Sequence, residues 1–358
     1  GYYGRANLGD DLMLAGLVQR VRELRPAATM SICAAGPVPF EMPRGVRCIE
    51  TPSVSGRLAK LLALARSRVV VWGGGTCLYE DGPGGVAGLQ GLRRVQQICR
   101  LAGTKFMFLG IGIGAFHTDE GRALARALLD GADAVTCRDG ESRAAADTLL
   151  GRPKARSGGD LAFLEAERLA SRAAERPVGP LRTVAFCGAA YYAADPKLVA
   201  AYRGMIAEWL EAGLERVLFV PMHQGGHSDH ALHRELAEGL PASTFEMVDY
   251  GTVDEALVRL STADVAVSFR LHGVAVNDLL GVPCWAVEYS PKLGFYCRKS
   301  GPLGAERLRG LGETIRYADL VRLHDERDRR RAELGTFART EAEAAEASVD
   351  DLCRRFLD

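Results

Sequence analysis

The stretch SFRLHGVAVNDLLGVPCWAVEYSPK, residues 268–292, decides how the rest of the chain is read. It continues a short apolar run, DVAVSF (264–269), into Arg270, His272 and Gly273. A helical pattern over 271–280 follows, then a GVP turn and a second apolar run at 284–289 that ends in Tyr289, Ser290, Pro291 and Lys292. Strand, crossover helix and strand in this order make one βαβ unit of a parallel sheet. Two adjacent parallel strands then deliver Arg270, His272 and Lys292 to the same rim. A multiply charged anion calls for such a group: cations to match its charge, and an imidazole that titrates near neutral pH to move a proton. A lone histidine here would more commonly be structural; the grouping is what makes the segment a candidate site.

Outward from this unit the same rhythm runs along the chain. Strands are expected near 68–72, 105–111 and 133–137, and again near 183–187, 216–221, 244–249, 264–269 and 284–289. Helices are expected at 10–24, 84–102, 119–130, 140–150, 195–212, 229–239, 253–262 and 271–280. Alternation of this kind predicts an α/β protein, and 358 residues favour two domains over one. The expected division is an N-terminal domain over 1–164, a linker over 165–181 (Ala-, Glu- and Arg-rich, ending in two prolines), a C-terminal domain over 182–323 and a charged helical tail over 324–358. Two such domains in tandem would leave a cleft, with ligands at the carboxyl ends of the strands.

Several strand ends carry loops worth reading. The opening GYYGRANLGDDLML places Gly1, Gly4 and Gly9 before a helix, with Asp10 and Asp11 in its first turn. Free N–H groups there suit an anion, but two carboxylates repel phosphate, so sugar hydroxyls fit better; plain helix capping is the alternative. In WGGGT, Gly73, Gly74 and Gly75 allow either close approach of a ligand to the backbone or a tight turn. GIGIGA (110–115) lacks the third glycine and the following acidic residue of a dinucleotide fingerprint. In CRDGES (137–142), Arg138 stands at a strand end, ready for a phosphate or carboxylate, or for an ion pair with Asp139 or Glu141. His223, His227 and His230 of HQGGHSDH straddle a Gly-Gly loop without a completing set of ligands, so no metal is expected.

Composition narrows the classes further. Lys plus Arg and Asp plus Glu both number 45, so the charge balance offers nothing to a nucleic acid. Nine scattered cysteines without a C-x-x-C pair read as reduced, which points to the cytoplasm. No apolar run reaches the roughly 18 residues of a membrane helix. The sequence opens at Gly1 without an initiator Met, as it would if a short natural N-terminus were missing.

Taken in order, GYYGRANLGDD, WGGGT, GIGIG, CRDGES, GGDLAF (158–163), SFRLHG, GVP (281–283) and YSPK resemble the polysaccharide pyruvyl transferases, from Gly1 to about Lys292. The resemblance implies two Rossmann-like domains in a GT-B-like arrangement and a phosphoenolpyruvate donor. It also implies a sugar or lipid-linked saccharide acceptor whose two hydroxyls close a pyruvate ketal, in the building of a cell-envelope polysaccharide. By position in the motifs, Arg138, His272 and Lys292 are implied in donor binding and catalysis, with His272 the catalytic residue and Arg270 in support. Asn7, Asp10 and Asp11 are expected on the acceptor side, and Gly73–Gly75 as a backbone loop. No cofactor is implied beyond phosphoenolpyruvate as co-substrate, and peripheral contact with a membrane is left open. A GT-B glycosyltransferase using a nucleotide sugar, a family member acting on a non-polysaccharide acceptor, and a sugar-binding scaffold without activity stand as the other readings.

Overall fold

A computed structural model of the chain describes residues 2–174, 179–192, 194–226 and 228–357. The chain divides into two compact units. Unit 1 takes the described residues of Gly1–Gly4, Asp10–Leu164 and Thr340–Asp358; unit 2 takes those of Arg5–Gly9 and Glu165–Arg339.

Unit 1 runs α1 (Leu8–Leu24, whose first two residues count with unit 2), β1 (Met30–Ala34), β2 (Val46–Glu50), α2 (Val54–Arg66), β3 (Val69–Gly73), β4 (Thr76–Leu78) and α3 (Ala87–Ala102). It continues through β5 (Lys105–Ile113), α4 (Asp119–Asp130), β6 (Ala134–Cys137), α5 (Gly140–Leu150) and β7 (Arg156–Ser157). The sheet order is β3-β5-β6-β7 with β4 also on β5, and β1 pairs with β2; every pair is parallel. Strand β5, KFMFLGIGI, is buried from Phe106 to Gly112, as expected of a strand covered on both faces. Phe106, Phe108, Ile111, Leu128, Leu129 and Val135 share its core. Side chains cap three of these helices at their N-termini: Ser53 accepts from Gly56 N–H for α2, Thr118 from Gly121 N–H for α4 and Asp139 from Ser142 N–H for α5.

Unit 2 contains α6 (Ala166–Ala174), β8 (Thr183–Cys187), α7 (Pro196–Glu211), β9 (Arg216–Phe219), α8 (His230–Ala237), β10 (Phe245–Met247), α9 (Val253–Ser261) and β11 (Val265–Ser268). After these come α10 (Leu271–Leu279), β12 (Cys284–Glu288), α11 (Pro291–Lys299), α12 (Pro302–Glu306), β13 (Leu308–Gly310), α13 (Tyr317–Asp325) and α14 (Arg327–Phe356). All strands are parallel, in the order β10-β9-β8-β11-β12-β13. Renumbered within the unit this is 3-2-1-4-5-6, the Rossmann order, and the strand sequence reverses between β8 and β11. Trp209, Phe186, Phe219, Phe269 and Trp285 fill the core, with Trp209 Nε1–H donating to Ile315 O at 2.6 Å.

Three segments differ from expectation. The stretch 165–181 begins not as a linker but as helix α6, with Leu169 fully buried and Arg168 paired with Glu165 and Asp254. Its Ala, Glu and Arg content looks like linker composition because only one face of the helix carries apolar residues; residues 175–178 lie outside the described ones. The tail is not a separate body: from Thr340 on, α14 belongs to unit 1, where Ala345, Val349, Leu352 and Cys353 are buried. Residues 5–9, expected in the N-terminal domain, count with unit 2. There Leu8 N–H donates to Met222 O and Gln224 N–H to Ala6 O, both at 2.9 Å, and Asn7 bridges His223.

Candidate functional site

In unit 2, Arg270 and His272 follow β11 directly, at the strand beside which the order reverses. Open sheets of this kind bind ligands there, because the crossovers on either side leave in opposite directions and open a crevice. Arg270 is the N-cap residue of α10 and makes no side-chain cap; Ser268 Oγ instead accepts from Arg270 N–H at 3.1 Å. Ser290 likewise leaves the first turn of α11 without a side-chain cap. By contrast α9, starting at the same edge, carries a full capping box of Thr252 and Glu255. The two helices that follow the candidate strands thus keep N–H groups and a positive dipole end that an anion can use.

The glycine of RLHG has a packing cause. A Cβ on Gly273 would lie 2.2 Å from Ser268 Oγ. Gly9 is held more tightly still: its Cβ would lie 2.2 to 2.5 Å from Nδ1, Cγ and Cβ of His272. The backbone of the N-terminal segment therefore seats the imidazole. Asn7 holds that segment in place, its Oδ1 accepting from Gly9 N–H at 3.2 Å. Ala6, with φ of 55°, is the one non-glycine in the left-handed region among the described residues.

Arg270 is not a bare cation. Its guanidinium pairs with Asp229, which is fully buried and also accepts from the backbone N–H groups of Ala190, Met222 and His223. The Arg270 guanidinium also lies 5.3 Å from the centre of the exposed Tyr191 ring. Lys292, in the first turn of α11, is exposed, lies 5.9 Å over the Tyr289 ring and pairs with no carboxylate among the described residues. His230 Nε2 meets Asp249 at 2.8 Å and His223 bridges Asn7; His227 lies outside the described residues. Among the described residues no three His, Cys, Asp or Glu side chains are placed to hold a metal. His233, fully buried, accepts from Gly188 N–H at 3.1 Å, and burial depresses its pKa to about 3.

In unit 1, Arg138 ends β6 and is buried. Its Nε donates to Asp139 at 3.1 Å, Nη2 to Thr76 Oγ1 at 3.4 Å, and Nη1 lies 3.7 Å from Asp160. The ion pair weighed for Asp139 is present, and Asp160 of the GGDLAF motif joins it. Gly112 is needed beneath them, since a Cβ there would sit 3.0 Å from the guanidinium carbon. Burial pushes the neighbouring Cys77 and Cys137 thiols up to about 12, which leaves them unreactive.

Gly73–Gly75 form a kink rather than a free loop. Both flanks stay on β5, and Gly74 and Gly75 adopt φ of 65° and 69°. Met13 stands 2.7 Å from where a Gly74 Cβ would be and the Tyr3 hydroxyl 3.2 Å from a Gly73 Cβ, so protein atoms cover these two glycines. Tyr3 donates to Gly73 O at 2.5 Å. Only Gly75 faces a candidate side chain, with Asp10 Oδ1 at 3.2 Å from its would-be Cβ. Asp10 and Asp11 occupy the first turn of α1 and both are buried. Asp11 Oδ1 accepts from Gly4 N–H at 3.4 Å, whereas its Oδ2 has no hydrogen-bond partner among the described residues. Burial raises its pKa to about 7, with Asp10 adding to the shift and the Gly4 hydrogen bond opposing it. Gly1 of the same glycine-rich opening lies outside the described residues.

Asp229 and Asp160 were not singled out from the sequence, and Gly9 was read only as part of a glycine-rich helix entry, not as the seat of His272. The first two had signals, in HQGGHSDH and GGDLAF, that were read for other residues or only for resemblance.

Comparison with solved structures gives the fold independently. UDP-GlcNAc 2-epimerase from Methanocaldococcus jannaschii superposes with a TM-score of 0.60 at 12% identity, covering 96% of each chain. The enzyme from Neisseria meningitidis bound to UDP-GlcNAc gives 0.55 at 9%, covering 97% of this chain and 98% of the other. A putative UDP-N-acetylglucosamine 2-epimerase from Listeria monocytogenes gives 0.59 at 11%, over 99% and 95%. The fold is therefore two Rossmann-like domains of the GT-B-like kind. No curated protein matches the chain. A family model described as polysaccharide pyruvyl transferase matches residues 7–291.

Proposed function

The chain belongs to the polysaccharide pyruvyl transferase family, and from that premise we propose that it moves the enolpyruvyl group of phosphoenolpyruvate onto two hydroxyls of a sugar in a cell-surface or exopolysaccharide precursor. The methylene carbon of the donor takes up a proton as the first hydroxyl adds to C2. Phosphate then leaves, and the second hydroxyl closes the ketal. Two hydroxyl protons are released, one replacing that used on the methylene and one leaving with phosphate, so no redox cofactor, nucleotide or metal is needed for balance.

His272 is assigned the proton transfer, and Arg270 and Lys292 the carboxylate and phosphate of the donor; Arg138, in unit 1, keeps only the donor-binding part that the motif resemblance implies. The observation that carries the reading is the position of Arg270 and His272 at the strand-order reversal of unit 2, ahead of a helix whose first turn is uncapped. Charge accounting ranks the cations. Arg270 and Arg138 are already matched by Asp229 and by Asp139 and Asp160, so Lys292 contributes the larger share of net positive charge. On the acceptor side the reading keeps Asn7, Asp10 and Asp11, with Gly75 beside Asp10.

The test is mass spectrometry of a panel of sugars, lipid-linked saccharides and small hydroxylated acceptors incubated with the protein and phosphoenolpyruvate. A pyruvate ketal on any of them is expected, and the acceptor that gains it separates polysaccharide from other biosynthesis. His272→Ala should lower turnover by about 10²–10⁴-fold with an unchanged melting temperature. Wild-type turnover in that variant would remove His272 from the scheme. A nucleotide-sugar reading is favoured by one observation, the superposition on an enzyme bound to UDP-GlcNAc. Protection from heat by UDP-GlcNAc and not by phosphoenolpyruvate would select it.

A further inference from the structure

Helix α2 is built inside out. Toward unit 1 it presents small residues and one leucine: Gly56, Ala63 and Leu64 are buried, and the helix packs on α3, whose following loop ties to it through Thr104 Oγ1 and Leu64 O at 2.8 Å. A Cβ on Gly56 would strike Glu50 O at 1.8 Å, so the helix lies close against the end of β2. Its large apolar side chains point the other way. Val54 is 67% exposed, Leu58 58%, Leu61 44% and Leu62 55%. Spacings of four, three and one residues set these four on one face of a helix. Single exposed leucines are ordinary on a protein surface, but a stripe of four on a helix of 13 residues is not.

The charges beside the stripe have one sign. Arg57, Lys60, Arg66 and Arg68 lie on or directly after the helix, and no Asp or Glu occurs from Thr51 to Arg68. Arg57, Lys60 and Arg66 form no ion pair among the described residues. At 100° per residue Arg57 and Arg66 flank the stripe on either side, where their aliphatic stems lie along the leucines and their charged ends reach past them.

We propose that this outward face of α2 docks on an anionic bilayer, the leucines entering the boundary between headgroups and acyl chains and the cations meeting the lipid phosphates. An apolar face edged by cations is what interfacial helices present. Charge decides against a second copy of the same face, which would bring Arg57 and Arg66 against the same cations of the copy. The leucine stripe decides against a nucleic acid, whose surface offers phosphates but nothing to cover the apolar residues. The inference rests on α2 alone and goes beyond the pyruvyl-transfer reading, so the two can fail separately.

The test is co-sedimentation of the full chain with vesicles of phosphatidylcholine alone and of phosphatidylcholine with phosphatidylglycerol, at low and physiological salt. Binding to the phosphatidylglycerol vesicles is expected, weakening with salt, with none to phosphatidylcholine. Leu58→Asp with Leu62→Asp should lower the partition coefficient at least about tenfold, and each of Arg57→Ser and Arg66→Ser about fivefold. Circular dichroism and melting temperature should not change, because these side chains are exposed or half-exposed. Absence of binding, equal binding to both vesicles, or binding untouched by the leucine substitutions overturns the proposal. So does a concentration-dependent dimer in light scattering that the leucine substitutions abolish while vesicle binding stays absent, since the face would then serve a second copy.

Discussion

Asp11 shows at the scale of one residue what burial does to an acid that motif reading assigns to ligand binding. Its carboxyl is 1% exposed and receives a single backbone N–H, so the protonated form is favoured and the pKa rises from 3.8 to about 7. The unfolded chain ionises the same group at its ordinary value. Between about pH 4 and pH 7 the folded state therefore holds more protons than the unfolded one, and this residue's contribution to stability is lost as pH rises through that window. Asp11→Asn is expected to melt a few degrees above the wild type at pH 8, since each kcal/mol moves Tm by roughly 2–4 °C in a chain of this size. The gap should narrow as the pH falls to 5. Thermal scans of both proteins over that range check it; parallel curves would show that Asp11 is ionised in the fold.

Among elements, the start of α1 and the start of α10 are tightly coupled within unit 2. Gly9 and His272 meet with no room for a methyl group, and the clash reaches the root of the His272 side chain, so ring rotation cannot relieve it. Gly9→Ala is expected to displace the imidazole and lower kcat/KM by about 10²-fold, the size of effect that a 1 Å misplacement produces, while far-UV circular dichroism stays as in the wild type. Steady-state kinetics with phosphoenolpyruvate checks it. The elements themselves were legible in the sequence to different degrees. Strands such as VVVW and TVAFC stand out because parallel strands covered on both faces are continuous apolar runs. Strands β1 and β2, MSICA and VRCIE, were not expected, since polar residues interrupt them and each is paired only with the other. Helix α2 went unread because its leucines face outward and its buried face is nearly featureless. Of the site, the cations and the histidine could be read at their strand ends, and so could Asp139 beside Arg138; the distant partners Asp160 and Asp229 could not.

For the whole chain, the closing helix matters more than its composition suggests. Its residues from Thr340 complete unit 1, with Ser348 Oγ 2.4 Å from a would-be Cβ on Gly158 and the Glu341 carbonyl 2.2 Å from one on Gly159. Those glycines belong to the loop that also carries Asp160, the partner of Arg138. Deleting residues 340–358 would expose the surface that Val349 and Leu352 bury, about 3–6 kcal/mol for the two side chains, a large part of the stability of a typical domain. The truncated chain is expected to precipitate, or to lose the cooperative melting of unit 1; calorimetry of the soluble fraction checks it, and an unchanged melting profile would make the helix dispensable. By itself the sequence determined the alternation of buried strands with amphipathic helices, the family, and the rim that receives Arg270, His272 and Lys292. These follow from neighbouring residues, whose periodic burial is a local property of the chain. Only the tertiary structure decided which cations are matched by a carboxylate, because Arg270 meets Asp229 across 41 residues of sequence, and that meeting depends on strand order rather than on any local pattern.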